Sequence, residues 1–413
     1  MGTSITHPRA LEAEVLSLPE ARPLAAPEPR RVLLVSPEPF FEDRGTPIAV
    51  RQVAQALCQA GYAVDLLSYP VGHPVEVAGM RILRAPNPLR IRRVPVGLSF
   101  RKLVLDATLV PMLFWMVTRR RYVCIQAVEE AAFPAAVIGR LCGIPVVYDM
   151  QSSLPEQLAH LRLLRGPVLQ ALFRRCERWL VRHADYVVGS AGLGERVRTL
   201  APAANWRELR YANHVGPCPD GESLALRRSL EIAPETPVVV YGGNFQSYQG
   251  TERLLQAADI VLAKRPDTVF VLVGGDRIEV RRDGAIRMLG RRPGSAMPAF
   301  LAMADVLVSP RAYGTNLPLK IFDYLAAGRP IVATDTPAHR TVLHEDRAVL
   351  VPPDAAGLAT GILRVLDDPL EARRLGRAAR AYAESELGWI RFARSVADLY
   401  EEVCAPQARR VTS

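Results

Sequence analysis

Short apolar runs alternate with amphipathic segments along most of the chain. Buried strands are predicted where apolar residues follow one another without a break, at 31–36, 63–68, 122–126, 145–148 and 186–190. Helices are predicted from Pro47 to about Ala60 and over 131–141 and 168–182. Strands of this kind alternating with helices are typical of a doubly wound parallel α/β sheet.

A second series begins after the breaker cluster Pro217, Pro219, Asp220 and Gly221. It predicts strands at 237–241, 268–273, 306–309 and 330–333, and helices at 250–264, 320–327 and 355–366. We therefore divide the chain into a disordered extension at 1–29, an N-terminal half at 30–210 and a C-terminal half at 217–385. Ligands of open α/β sheets bind at the carboxyl ends of the strands, so we expect the chemistry where the halves face each other.

Composition narrows the class of protein. With 413 residues, 49% of them hydrophobic, the chain is an ordinary globular protein and not a collagen-like, disordered or disulfide-framework one. Its net charge of +10 favours acidic partners, but the basic residues are scattered without an aromatic platform, which disfavours nucleic acid. The six cysteines show no CxxC spacing, which predicts buried reduced thiols in a cytoplasmic protein and no zinc or other metal site.

One apolar segment, 103–117, bears on membranes. It contains Asp106 and Pro111 and is shorter than the roughly 20 residues that span a bilayer. It is either a helix packed on the sheet or an interfacial helix on anionic lipid at the inner membrane face. In the second case Arg90, Arg92 and Arg93 would assist.

The most informative stretch is 309–335, SPRAYGTNLPLKIFDYLAAGRPIVATD. A strand end, a glycine loop and a helix start follow one another, and backbone N–H groups at such a start bind anions. Lys320 is one of only three lysines and lies in the first turn of the helix, where a cation interacts unfavourably with the helix dipole. A bound phosphate that pairs with the cation would explain this position. Asp323 could accept hydrogen bonds from ribose hydroxyls, or form an ordinary solvated pair with Lys320. The predicted anion ligands are Arg311, Gly314, Thr315, Asn316, Leu317 and Lys320.

This stretch resembles the donor-binding signature of the retaining glycosyltransferases of family 4. The N-terminal run VLLVSPEPFFEDRGTPIAVRQVAQALCQAGYAVDLLS resembles the opening strand, glycine loop and helix of that family, and the similarity covers about 30–400. The resemblance implies a GT-B fold, two facing Rossmann-like domains with a deep cleft, and a last helix (386–405) that returns to the N-terminal half. It also implies metal-independent, cofactor-free transfer of a hexosyl group, with retention, from a nucleotide sugar to a glycan or lipid-linked acceptor.

Several donor positions depart from the family pattern. Thr315 and the shorter Asp323 stand where the family has two glutamates, and Asn244 and Gln249 stand where it has an Arg and a Lys that grip the donor diphosphate. Arg311 and Lys320 are the predicted replacements for those charges, with Arg291 and Arg292 as weaker ones. Backbone at Gly45 and Thr46 is predicted to approach the donor phosphate, unless it is a plain turn. Gly243 and Asn244, in the stretch GGNFQSYQG, are also predicted to contact the donor.

On the acceptor side, Gln151 and Gln126 stand where many members of the family carry histidine. A glutamine cannot act as a general base, so the resemblance implies that the leaving phosphate takes the acceptor proton while Gln151 orients the substrates. Catalysis is thus assigned to Gln151, Lys320 and Asp323. Acceptor contacts are predicted for Glu130, Asp149, Gln151 and Ser152, although Asp149 could equally be a residue that forms the turn after its strand. Glu129 is predicted to be a surface residue, Asn213 to mark the crossover between the halves and His214 to be a hinge residue.

Two alternatives to a transferase remain open. The substituted charges favour a non-catalytic GT-B scaffold that binds a glycan or a partner enzyme. The other is a nucleotide-sugar epimerase or phosphorylase, although epimerisation would need acid and base groups, of which the motif region shows few. The sequence leaves the sugar, the base and the acceptor undetermined.

Overall fold

The computed structural model describes residues 29–405 except 43, 95–98, 160–165, 276–277 and 282–283. The extension predicted at 1–29 therefore lies, apart from its last residue, outside the described residues. The described chain forms two seven-stranded sheets, each flanked by helices, which confirms the doubly wound α/β class.

The first sheet is parallel throughout and has the order β3-β2-β1-β4-β5-β6-β7. Its interior strands are buried almost throughout and mostly apolar on both faces, as expected for strands covered by helices on both sides. The edge strand β3 was not predicted, because its sequence MRILR mixes apolar and charged residues. The strands are β1 (Arg31–Ser36), β2 (Ala63–Ser68), β3 (Met80–Arg84), β4 (Cys124–Val128), β5 (Val146–Met150), β6 (Tyr186–Gly189) and β7 (Trp206–Glu208).

Six helices cover this sheet: α1 (Gly45–Gln59), α2 (Phe100–Arg119), α3 (Ala132–Cys142), α4 (Leu154–Ala159), α5 (Pro167–His183) and α6 (Ala191–Leu200). Helix α2 contains the apolar segment 103–117. Its residues Leu105, Leu109 and Leu113 are buried in the core, so the prediction of a helix packed on the sheet is right for this face. No helix in the described part of the chain is long and apolar enough to cross a membrane.

The second sheet has the order β10-β11-β9-β8-β12-β13-β14, and its neighbours are parallel except for β10 and β11. Its strands are β8 (Val238–Gly242), β9 (Val269–Val273), β10 (Ile278–Arg281), β11 (Ile286–Leu289), β12 (Val306–Ser309), β13 (Ile331–Thr334) and β14 (Val349–Val351). Its helices are α7 (Glu222–Ser229), α8 (Thr251–Lys264), α9 (Met297–Ala302), α10 (Lys320–Ala327), α11 (Pro337–Arg340), α12 (Ala355–Asp367) and α13 (Pro369–Glu386).

The last helix, α14 (Trp389–Val403), lies against the first half of the chain. The indole Nε1 of Trp389 donates to Gln59 Oε1 of α1 at 2.9 Å, and the ring of Phe392 lies 5.7 Å from that of Tyr211. The apolar face of α14 therefore packs against α1, and residues from both ends of the chain share one hydrophobic core.

The cysteine prediction is only partly right. All six cysteines are free thiols, but only Cys124 is buried, whereas Cys142 is exposed at the end of α3. Cys58, Cys142 and Cys176 lie on helix faces that are only partly covered, because an apolar sequence context does not by itself bury a helical residue.

Candidate functional site

Two cations lie at the carboxyl edge of the second sheet. Lys320 opens α10, and its Nζ donates to Gln249 Oε1 at 3.2 Å and stands 4.0 Å above the ring of Tyr241. Arg311 follows β12 and is buried; it donates to the carbonyl of Tyr313 at 2.9 Å and to Asn316 Oδ1 at 2.7 Å. All these partners are neutral, and no carboxylate among the described residues forms an ion pair with either cation.

The surroundings disfavour the positive charge of both side chains. Desolvation lowers the pKa of the half-buried Lys320 well below its usual value, and the nearby charge of Arg311 lowers it further. Desolvation also lowers the pKa of Arg311. Two neighbouring cations that form no ion pair with a described carboxylate make a site that an anion would stabilise.

The glycine loop after β8 makes room for the ammonium group. Gly243 has a φ of +143°, and a Cβ at this position would come within 3.3 Å of Lys320 Nζ. The loop is fixed from both sides, because Tyr324 Oη accepts from Gly242 N at 2.8 Å and Tyr241 Oη donates to the carbonyl of Asn244 at 2.6 Å. The exposed side chain of Asn244 serves the loop itself, accepting from Gln246 N at 3.2 Å.

The amide groups before α10 are not open in the way the sequence predicted. Thr315 N donates to Glu156 Oε2 at 3.3 Å, and Leu317 N donates to Ser190 Oγ at 3.4 Å. Both acceptors belong to the first half of the chain. These two N–H groups are thus paired with acceptors of the first half in this structure, and their predicted role as anion ligands stays a prediction. Gly314 lies beside the Arg311 guanidinium.

Asp323 joins the two halves. Its Oδ1 accepts from the backbone N–H of His214 at 2.8 Å and of Val215 at 3.1 Å, and its Oδ2 lies 2.8 Å from His214 Nδ1. Asn213 donates to the carbonyl of Val215 at 3.2 Å within the same crossover. The ribose contact predicted for Asp323 would have to share these oxygens and stays a prediction.

A second polar cluster lies at the carboxyl end of β5. Gln126 Nε2 donates to Asp149 Oδ2 at 2.8 Å, and Gln151 Nε2 donates to Asp149 Oδ1 at 2.5 Å and to Tyr211 Oη at 2.9 Å. Tyr400 of α14 donates to Gln126 Oε1. Burial raises the pKa of Asp149 to about 6, although the hydrogen bonds from both glutamines lower it. Asp149 thus holds the amide of Gln151 in one orientation.

This burial predicts a pH-dependent stability difference. An acid whose folded-state pKa is raised loses stability as pH rises from its unfolded pKa, about 4, to its folded pKa, about 6. Asp149→Asn removes that loss, so its stability relative to the natural protein should rise by up to about 3 kcal/mol between pH 4 and pH 7. Urea titrations at four pH values in that range measure this slope, and a difference independent of pH would contradict it.

The remaining predicted acceptor residues have partners within the first half. Glu130 forms an ion pair with Lys102 of α2 at 2.5 Å, and Ser152 Oγ donates to Glu129 Oε1 at 3.0 Å. Glu129 has a φ of +52°, which turns the two adjacent glutamates to different partners. Their carboxylates are half-buried at the carboxyl edge of the first sheet.

The remaining donor predictions concern Gly45, Thr46 and two arginines. Thr46 hydrogen-bonds Glu38, whose pKa burial raises to about 7, and a Cβ on the exposed Gly45 would meet no protein atom within 4 Å. Arg291 and Arg292 are exposed beyond β11. No group of three or more His, Cys, Asp or Glu side chains among the residues described could hold a metal ion.

Comparison with known proteins assigns the family. Residues 44–212 match the model of the glycosyl transferase 4-like domain, and residues 236–368 match that of glycosyl transferases group 1. The chain belongs to the group 1 glycosyltransferases. The two matches lie on the two sheets and include Lys320, Arg311 and Gln151.

Two curated relatives illustrate the breadth of this family. The chain is 29% identical over 187 residues, 42% of its length and 49% of the relative, to a GDP-mannose-dependent monoacylated alpha-(1-6)-phosphatidylinositol monomannoside mannosyltransferase of Corynebacterium glutamicum. It is 25% identical to the glycogen synthase of Mycobacterium tuberculosis over 90% of the chain and 94% of that enzyme. The alignments with the mannosyltransferases it matches span about half of their length.

Solved structures confirm the GT-B fold. Sucrose-phosphate synthase of Thermosynechococcus elongatus superposes with a TM-score of 0.74 at 22% identity, covering 91% of this chain and 99% of that one. HepE of Anabaena, solved in complex with UDP-glucose, gives a TM-score of 0.68 at 16% identity over 90% of this chain and 99% of its own. The two facing Rossmann-like domains are therefore those of GT-B glycosyltransferases.

Proposed function

We propose that this glycosyltransferase moves a hexosyl group from a nucleotide-sugar donor to a glycan or lipid-linked acceptor. The observation that carries the proposal is the pair of cations, Lys320 and Arg311, which lie at the carboxyl edge of the second sheet and form no ion pair with a described carboxylate. The diphosphate of a nucleotide sugar supplies the negative charge that this site lacks. The GDP-mannose dependence of one relative and the UDP-glucose bound to one structural neighbour support a donor of this class.

The contacts of Lys320 support the proposal that it compensates for the substituted donor positions. Gln249 stands where the resemblance expects a lysine, and Lys320 Nζ lies one hydrogen bond, 3.2 Å, from its Oε1. The positive charge thus reaches the same place from a different element, α10 instead of the loop before α8. The guanidinium of Arg311 lies over the ring of Tyr248, 5.3 Å from its centre, beside this position.

The proposed chemistry uses orientation and charge. Lys320 and Arg311 stabilise the negative charge that develops on the departing diphosphate, and Gln151, held by Asp149 and Tyr211, orients the substrates across the cleft. The leaving phosphate takes the acceptor proton, and configuration is retained. We propose that neither a metal ion nor another cofactor takes part and that the protein works in the cytoplasm.

Nucleoside diphosphate release tests the proposed activity. The protein is incubated with UDP-glucose, GDP-mannose and ADP-glucose, each with extracted glycan and lipid acceptors, in buffer with and without a chelator. Release of one diphosphate that requires an acceptor and survives chelation is expected. Tight nucleotide binding without turnover on any acceptor would favour the non-catalytic scaffold, and no binding at all would contradict the proposal.

We further propose that α2 docks on an anionic membrane. Opposite its buried face, α2 exposes Phe100 and Leu103 near its start, and Phe114 and Trp115 are 50% and 47% exposed. Arginines 90, 92, 93, 101 and 119–121, which flank this apolar row, are exposed as well. An exposed apolar row with flanking cations is the composition of an interfacial helix on acidic lipid.

Removal of the two aromatic side chains tests the membrane proposal. The double variant Phe114→Ser, Trp115→Ser is expected to bind phosphatidylglycerol-containing vesicles about tenfold or more weakly. The reason is that it lacks the two rings that the proposal buries in the membrane interface. Sedimentation with vesicles at low and high salt measures the binding. Leu370→Ser, which removes a 73% exposed leucine of α13, is the control. Equal binding by all three proteins would contradict the proposal.

A further inference from the structure

A carboxylate of the first half reaches into the loop that carries the donor cations. Glu156 lies on α4, and its Oε2 accepts from Thr315 N at 3.3 Å and from Thr315 Oγ1 at 3.1 Å. The two residues are 159 positions apart in the sequence and belong to different sheets. Glu156 therefore brings negative charge across the cleft to the start of α10.

The two halves are in direct contact at this point. A Cβ on Gly192 would come within 2.0 Å of the carbonyl oxygen of Thr315, so only glycine permits this approach of α6. Ser190 Oγ accepts from Leu317 N in the same interface. The position of the Glu156 carboxylate relative to the loop is thus fixed by packing on both sides.

Glu156 contacts Thr315, four residues after Arg311, so its carboxylate lies beside the loop that carries this cation, on the side of the first half. Its charge raises the pKa of Arg311, against the lowering by desolvation. A phosphate oxygen could not share that place with a carboxylate, because two anions would repel each other. A neutral group with several hydroxyl donors could lie next to this carboxylate, since ionised carboxylates accept hydrogen bonds from hydroxyls at several lone pairs.

The transferred sugar is the donor group that meets this description. It is bonded to the distal phosphate and must face the first half, where the acceptor residues around Asp149 and Gln151 lie. We infer that Glu156 binds hydroxyl groups of the hexosyl ring of the donor and thereby discriminates a nucleotide sugar from the bare nucleoside diphosphate. This inference rests on the proposed function of the Lys320 site.

Paired titrations test the role of Glu156. Calorimetry compares UDP with UDP-glucose and GDP with GDP-mannose on the natural protein, on Glu156→Ala and on Glu156→Gln. For the pair that binds, Glu156→Ala should raise the Kd of the nucleotide sugar about tenfold, with a smaller rise for Glu156→Gln, because charge-assisted hydrogen bonds to the sugar are lost. The Kd of the diphosphate should stay within about twofold, which also shows that the variants are folded.

The control is Glu195→Gln, an exposed glutamate of α6 in the same half, which should change neither Kd. If the variants bound the nucleotide sugar and the nucleoside diphosphate equally more weakly, the inference would be overturned. Glu156 would then only stabilise the conformation of the loop. Tighter binding of the diphosphate by Glu156→Ala would also overturn it and make the carboxylate a competitor of phosphate. If the natural protein bound no nucleotide, the proposed function and this inference would both fail, whereas the other outcomes leave the Lys320 site intact.

Discussion

Lys320→Ala should weaken the binding of UDP or GDP about 100-fold, because a charge-assisted hydrogen bond in a desolvated site contributes roughly 2–3 kcal/mol. The ammonium group is held by neutral partners, Gln249 and the ring of Tyr241, so its removal leaves Arg311 as the remaining cation of the pair. Isothermal titration calorimetry of both proteins with each diphosphate measures the change.

The same variant should not lose stability when no nucleotide is present. Desolvation lowers the pKa of Lys320, so the charged ammonium group destabilises the free protein, in which no bound anion neutralises it. Its thermal unfolding midpoint without ligand should equal or exceed that of the natural protein. Lys264→Ala, an exposed lysine at the end of α8, is the matched control. Unchanged nucleotide affinity in Lys320→Ala, or equal losses in both variants, would contradict the assignment of the site.

Asp323→Ala should lower the thermal unfolding midpoint by roughly 4–8 °C. The substitution leaves the backbone N–H groups of His214 and Val215 without their acceptor, and each unsatisfied buried donor costs about 1–3 kcal/mol. It also removes the partner of His214 Nδ1. Because these contacts join the crossover to α10, the loss should appear in the unfolding of the C-terminal half. Differential scanning calorimetry resolves that transition.

Asp398→Ala is the control for this effect, since Asp398 is an exposed carboxylate of α14. It should shift the midpoint by less than about 1 °C. A midpoint for Asp323→Ala equal to that of the control would show that the crossover is held by other contacts. A strong loss of nucleotide affinity without a stability change would instead favour the ribose role that the sequence predicted for Asp323.

The sequence predicts the sheets well because buried parallel strands are continuous apolar runs. The strand prediction at 31–36 matches β1, and the helix prediction at 320–327 matches α10. It also singles out Lys320, because a cation in a first helical turn needs an electrostatic reason. Edge strand β3 was missed, since half-exposed edges carry charged residues that blur the pattern.

Contacts between distant segments could not be predicted. The pairing of Glu156 with Thr315 and of Asp323 with His214 depends on how the two halves meet, which no local pattern encodes. The aromatic surroundings of Lys320, formed by Tyr241 two residues before Gly243, likewise arise only when α10 packs on β8. For the same reason the loop amides at Thr315 and Leu317 were predicted to be open although the first half covers them.

The titration of Lys320 itself tests the donor site most directly. The chain has only three lysines, so labelling of lysine Cε gives three NMR signals, with Lys102 and Lys264 as internal references. The ammonium of Lys320 should titrate well below the usual lysine range in the free protein, and its pKa should rise when UDP or GDP saturates the site, because a diphosphate favours the charged form. A Lys320 signal that titrates normally and ignores both nucleotides would mean that no diphosphate is bound there.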